Sequence, residues 1–232
     1  MTAEIDGRVH WKDRRNFNQS QWQRCCKGHV APVLRYTTEL LRLKCGPDLL
    51  ALRIFPDAKE LAESFAVYSA VKKHLPGFKM DDPGTVLLSV GDGHVPRTGA
   101  VFAHRTSWAC HSIDPCMRRT DWCDDVKRLE AWRARAEDLV GMQGWPIGPD
   151  ATTSVVIVGV HTHARWDAML RLVSPVMVRT ALVVMPCCEP EALPPGGFDA
   201  AYDDDGVPSP DRTVYVYGPE HVQALQAVLQ GR

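Results

Sequence analysis

The sequence predicts an α/β fold, a mostly parallel sheet with helices on both faces, preceded by a helical extension. Three observations carry this reading. Short apolar runs at residues 86–90, 109–113, 154–160 and 181–185 alternate with stretches of helical period. The first run ends in a glycine turn, Gly91-Asp92-Gly93. The second ends in an acid, Asp114, at the place where a neighbouring strand delivers its last residue to a ligand.

Taken in chain order, residues 1–28 show no clear period. From Val30 to Lys44 the apolar residues follow helical spacing, and Cys45-Gly46-Pro47 ends the run. A second helix starts at Asp57, with Glu60 three residues on as a capping box; Leu61, Phe65, Tyr68, Val71 and Leu75 line one face before Pro76-Gly77. These two helices read as an N-terminal flank, so residues 1–80 are taken as an extension and 81–232 as the main domain. The four apolar runs are short and continuous, as strands buried on both faces are. Helices are expected at 98–106, within 116–132 and at 166–173. A short strand is expected within 130–136, ending at Glu137-Asp138. Residues 198–202 and 213–217, joined through Asp203-Asp204-Asp205-Gly206, read as an antiparallel hairpin, and 219–229 as a final helix.

Composition bounds the function. The 232 residues are 45% hydrophobic and 24% charged, enough to bury a real core. A net charge of -1 excludes a polycation built to coat nucleic acid. No apolar run approaches the roughly 18 residues of a membrane span, and the N-terminus lacks the apolar stretch of a signal peptide. A cytoplasmic protein is therefore expected, with its eight cysteines in a reducing compartment. The first thirty residues are locally basic: Arg8, Lys12, Arg14, Arg15, Arg24 and Lys27 face Glu4, Asp6 and Asp13. That excess suits an anionic partner such as RNA, or a solvated terminus.

At the glycine turn the chain leaves a buried strand and enters a helix. Gly91 and Gly93 permit positive φ and close approach of a ligand to the backbone. A dinucleotide-binding loop places a third glycine where Pro96 stands here. Proline donates no N–H and starts a helix well, which suits a ligand without a pyrophosphate. Asp114 reads as an acceptor for ribose hydroxyls, with a turn start as the alternative. Glu137 and Asp138 read either as acceptors for an adenine amino group or as solvated acids.

Together these features resemble the class I S-adenosylmethionine-dependent methyltransferase family, whose core is Rossmann-like, over roughly residues 85–217. Ser89-Val90-Gly91-Asp92-Gly93 is similar to its first motif, Ile113-Asp114-Pro115 to its second and Ala136-Glu137-Asp138 to its third. The fourth and fifth strands, with a His and later Cys187-Cys188, are similar to a methyltransferase-like group that includes RNA-modifying members. The resemblance implies S-adenosylmethionine as cofactor. It implies contacts along Val90, Gly91, Asp92, Gly93, Pro96 and Arg97, at Asp114 and at Glu137 and Asp138, and at the Gly159, Val160, His161 turn. It implies methyl transfer, with RNA as the preferred acceptor. Ser89 departs from the usual acid, Pro96-Arg97-Thr98 from the usual glycine-rich exit, and no Asn- or Asp-Pro-Pro-Tyr follows the fourth strand. The catalytic residue is therefore not fixed; the candidates are His161, His163 and Arg97. The rivals are a non-catalytic binding or scaffold protein on the same fold, for example viral, and an NAD-binding oxidoreductase, which Pro96 disfavours.

His161, His163, Cys187 and Cys188 leave adjacent strands and offer zinc-type ligands, but their spacing lacks the C-x-x-C grip, so no metal is expected. The alternatives are a cavity-lining His161 with packed cysteines, or a histidine general base. Trp108, Trp122, Trp132, Trp145 and Trp166 read mostly as core residues, with base stacking as the other use. Oligomeric state is not legible.

Overall fold

The sheet is built from strands that the apolar runs dictate. A computed structural model describes residues 4–5, 8–9, 34–142, 145, 147, 154–173, 178–187 and 192–231. Two-residue strands β1 (Glu4–Ile5) and β2 (Arg8–Val9) pair antiparallel. The main strands are β3 (Thr85–Val90), β4 (Ala109–Ile113), β5 (Leu129–Trp132), β6 (Ser154–Val160), β7 (Arg179–Met185), β8 (Ala200–Asp203) and β9 (Thr213–Tyr217). They form a seven-stranded sheet in the order β5-β4-β3-β6-β7-β9-β8. β3 to β7 are parallel; β9 and β8 close the edge as an antiparallel hairpin. The chain walks outward from β3 in one direction and from β6 in the other, so the order reverses between them. This is a Rossmann-like α/β fold with its switch point at β3 and β6.

The helices are α1 (Arg35–Arg42), α2 (Gly46–Ala51), α3 (Ala58–His74), α4 (Arg97–Arg105), α5 (Ala136–Leu139), α6 (Trp166–Arg171) and α7 (Pro219–Gln230). Side chains alternate across a strand with period two, so each strand feeds two cores. Leu87, Cys110, Val156, Val158, Ala181 and Val183 pack in one core with α1, α3 and α4. Leu88, Val90, Ile113, Val155, Ile157, Leu182 and Val184 pack in the other with α5, α6 and α7. Helix α3, which precedes the first sheet strand, thus shares a core with the sheet. Its start is the expected one: the Asp57 carboxylate accepts from the Glu60 N–H at 2.9 Å.

Several expectations are corrected. The helix of residues 30–44 is described only from Arg35 and ends at Arg42. Gly46-Pro47 does not simply stop it but opens α2, because proline suits the first turn of a helix. Within 116–132 the only helical turn among the described residues is the short 3₁₀ turn Trp122–Asp124. Glu137 and Asp138 do not end β5; that strand stops at Trp132 and the two acids lie in α5. An Asp-Leu sequence after a short strand suits a helical turn as well as a strand end, and length alone could not separate them.

A buried polar bond ties α1 to the hairpin edge. Tyr36, fully buried, donates its hydroxyl to Asp204 Oδ2 at 2.5 Å, and Asp204 also accepts from the Gly206 N–H. Burial and the neighbouring Asp204 carboxylate push the Tyr36 hydroxyl far up from its ordinary value, so it stays a donor. Tyr36→Phe is expected to leave Asp204 under-satisfied and to cost about 2 kcal/mol. A thermal melt should show a midpoint lowered by about 4–8 °C.

Candidate functional site

β3 ends at Val90, paired to Gly159, one residue before β6 ends at Val160. Beyond them the chain takes two left-handed turns. Gly91 has φ +82° and Gly93 φ +79°, as the glycine pattern required. His161, leaving β6, has φ +48°, an uncommon conformation for a side chain-bearing residue. A Cβ on Gly91 would stand 2.5 Å from Thr162 Oγ1, so the loop cannot carry a larger residue there.

Asp114 leaves β4 beside this turn. Its Oδ2 accepts from the Gly93 N–H at 2.9 Å and its Oδ1 from the Cys116 N–H at 2.7 Å. Each carboxylate oxygen has two lone pairs, so both keep acceptor capacity for a ligand. Around this carboxylate lies a cavity of about 580 Å³. Val90, Gly91, Gly93, Asp114, Glu137, His161 and His163 line it, with Ile113, Pro115, Cys116, Ala134, Arg135, Ala136, Thr162 and Ala164.

A second, smaller cavity of about 210 Å³ lies on the other side of Gly91 and His161, which line both. Its remaining walls are Lys59, Glu60 and Ser64 of α3, Asp92, Arg97 and Thr98 at the start of α4, and Val160. Pro96, Asp138 and Gly159 line neither cavity. Pro96 instead precedes α4 and accepts from the Ala100 N–H, and Gly159 lies in the sheet between Val90 and Val184. Arg97 is not free for an anion: it pairs with Glu60 at 3.3 Å and donates to the backbone carbonyls of Ile54 and Asp92.

Asp92 turns inward. Its carboxylate is buried and accepts from the Thr98 N–H at 2.9 Å, the Gly99 N–H at 3.0 Å and the Ser112 hydroxyl at 2.7 Å. Burial raises its pKa, and these donors oppose the rise. The Arg97 N–H reaches the Val95 carbonyl and the Ala100 N–H the Pro96 carbonyl. The first-turn N–H groups of α4 are therefore all satisfied within the chain. In a dinucleotide fold those groups receive the pyrophosphate.

The sequence reading missed Glu63. It lies on α3, 1% exposed, and its Oε1 receives His161 Nε2 at 2.7 Å and Lys59 Nζ at 2.7 Å. Its Oε2 is buried with no hydrogen-bond partner among the described residues. The signal was present: Glu63 is a charge inside the apolar stretch LAESFAVYSAV. Nothing in the sequence showed that this stretch would face the exit of β6. The Glu63 hydrogen bond holds the His161 pKa above its ordinary value, against burial, with a further contribution from the Cys187 thiol. Burial pushes Glu63 up, but His161 and Lys59 outweigh it and hold the carboxyl below its ordinary value.

His163 Nε2 lies 3.8 Å from Cys187 Sγ. Among the described residues, no three His, Cys, Asp or Glu side chains are grouped to hold a metal ion; Cys188 lies outside them. No tryptophan lines either cavity. Trp108 and Trp122 are core residues, and Trp132 packs edge-on against Trp145 beside His111. Trp132, Trp145 and Trp166, partly buried, pack against the second core, in line with the reading of these residues as mostly core. No helix of the described residues is long and apolar enough to cross a membrane.

No family model and no curated protein matches this chain. Solved structures similar to it include a mutant of MtNAS in complex with S-adenosylmethionine, at 13% identity, covering 81% of this chain and 72% of that one with a TM-score of 0.41. A SAM-dependent methyltransferase from Aquifex aeolicus is 13% identical over 74% of this chain and 96% of that one, with a TM-score of 0.43. A putative S-adenosyl-L-methionine-dependent methyltransferase from Methanococcus maripaludis is 10% identical over 60% of each, with a TM-score of 0.38.

The Glu63–His161 pair makes stability depend on pH. His161 has a raised folded pKa, so its contribution is complete below the ordinary imidazole value of 6.5 and is lost as pH rises through the raised value. Glu63 has a lowered folded pKa, so its contribution is present above the ordinary value of 4.5 and is lost as pH falls through the lowered value. Glu63→Gln is expected to cost about 2 kcal/mol in the mildly acidic range between these limits. The gap to wild type should narrow on the alkaline side. Thermal midpoints of both proteins across pH 4–9 check this, and a pH-independent gap would assign the stabilisation to packing.

Proposed function

We propose that the chain is an S-adenosylmethionine-dependent methyltransferase, with the cofactor in the larger cavity. One observation carries the choice of cofactor class. The N-terminus of α4 is capped by the buried Asp92 carboxylate, so a pyrophosphate would find no free N–H and would meet a negative charge. A nucleoside without phosphates avoids both. Asp114 then accepts from the ribose hydroxyls, and the Val90–Gly93 backbone lies against the amino-acid end. Glu137 lines the same cavity on the side of Arg135 and Ala136, where an adenine amino group would be received. The cavity volume falls within the usual range of about 300–1,000 Å³ for sites of this kind. When bound, S-adenosylmethionine supplies an electrophilic methyl group on a sulfonium. The protein's part is to align a nucleophile with it, and the shared walls Gly91 and His161 bring the two cavities together for that purpose.

The acceptor is the less constrained half of the reading. RNA is supported by the basic residues before position 28, of which Lys12, Arg14, Arg15, Arg24 and Lys27 lie outside the described residues. A scaffold that binds the cofactor without turnover remains the rival from another class.

Calorimetric titration with S-adenosylmethionine, S-adenosylhomocysteine and NAD tests the cofactor. The first two are expected to bind wild type, NAD not to bind, and Asp114→Ala to weaken the first two at least tenfold while leaving the protein folded. Binding of NAD alone would transfer the site to the oxidoreductase reading. For RNA, replacing Arg14, Arg15 and Arg24 together should weaken binding and lower the slope of log affinity against log salt by about 2–3. An unchanged slope would remove RNA as a partner of that segment.

A further inference from the structure

We propose that the smaller cavity receives the zwitterionic head group of an α-amino acid, its carboxylate on Lys59 and its ammonium on Glu60. The link of that head group to methyl transfer rests on the methyltransferase reading above; its binding does not.

The charges that line this cavity alternate in sign: Lys59, Glu60 and Arg97 all form its walls. Glu60 Oε2 lies 3.3 Å from Arg97 Nη1, which holds the carboxylate in place. Glu60 Oε1 lies 4.0 Å from Lys59 Nζ, too far for a hydrogen bond, so it keeps acceptor capacity. Lys59 Nζ is anchored at 2.7 Å by Glu63, which itself lines neither cavity. An ammonium has three donors, so two remain on Lys59 for a ligand. Burial works against the Lys59 charge, but the Glu63 contact outweighs it and holds the ammonium above its ordinary value. A lone anion on Lys59 would meet Glu60, and a lone cation on Glu60 would meet Lys59 and Arg97. A ligand that carries both charges on one carbon avoids both conflicts. The volume, about 210 Å³, lies below the range of about 300 Å³ and more for drug-sized ligands and suits a head group.

Two sources supply such a head group. One is a separate amino acid, bound as methyl acceptor beside the cofactor. A lone pair of its side chain then forms the bond to the methyl carbon, and the carbon–sulfonium bond breaks with its electrons left on sulfur. A proton that the nucleophile carries is released to water. The other source is the methionine end of the cofactor itself, reaching past Gly91. The two cavities stand close enough for either. Gly91 and His161 line both. Gly93 of the larger lies so near Arg97 of the smaller that a Cβ would stand 3.2 Å from its Nη1. In both cases Lys59 and Glu60 decide specificity by charge, and Glu63 and Arg97 position them.

Calorimetry on the full chain tests this with L-methionine, its decarboxylated amine and its deaminated acid. A second comparison sets S-adenosylhomocysteine against methylthioadenosine, which lacks the head group. The head-bearing ligand is expected to bind at least about tenfold tighter than its truncated forms, as lost charge-assisted contacts require. Lys59→Ala should erase the preference for methionine over the amine, and Glu60→Gln the preference over the acid. Glu60→Gln keeps the backbone N–H that Asp57 caps. Each preference is a ratio within one folded variant, so a change in stability alone does not move it. Methionine that binds alongside saturating S-adenosylhomocysteine would assign the cavity to a separate amino acid. Methionine that competes with it, with both variants lowering the preference over methylthioadenosine, would assign it to the cofactor's own end. No preference for the head group in either comparison, or the same loss for every ligand in both variants, would overturn the proposal. Methionine binding that persists while S-adenosylmethionine and S-adenosylhomocysteine fail to bind would sink the methyltransferase reading alone.

Discussion

The parallel pairing of β3 with β6 is the constraint on which the rest depends. Its register sets Val90 opposite Gly159 and ends the two strands within one residue of each other. Two turns with positive φ, at Gly91 and His161, then diverge and leave space between them. Because the strand order reverses at this pair, no crossover helix covers the gap. Both cavities, and the wall they share, are consequences of that single register. A slip of one residue would turn Leu88 and Leu87 to opposite cores and close the site with apolar side chains.

Charge is placed around this gap with economy. Two of the carboxylates near it, Asp92 and Glu63, are buried, and they serve different ends. Asp92 satisfies the open N–H groups of α4 and so removes the fold's usual phosphate site. Glu63 comes from a helix earlier in the chain and fixes the imidazole of His161. Burying either without partners would cost several kcal/mol, on the order of what a domain has to spare. Each is instead matched, Asp92 by backbone and hydroxyl donors and Glu63 by a histidine and a lysine. The Oε2 of Glu63 is the exception: it is buried and has no hydrogen-bond partner among the described residues.

The pattern of the strands was legible because burial on both faces demands short continuous apolar runs, and few other structures do. β4, β6 and β9 occupy the expected residues. The glycine turn and Asp114 were legible for a similar reason: a positive φ narrows the residue choice to glycine, and a strand end delivers its last side chain to the sheet edge. Weakly periodic segments were not. α5 has four residues and the turn at Trp122–Asp124 three, too short for a helical period to show.

The sequence by itself determined the order of strands and helices, the turn at Gly91 and Gly93, and the acid at Asp114, because each is a local demand of backbone or burial. Only the tertiary structure decided which way Asp92 faces, that Arg97 is already paired, and that Glu63 meets His161 across 98 residues of chain. Those are contacts between elements, set by how α3 and α4 pack against the sheet, and no local period carries that information.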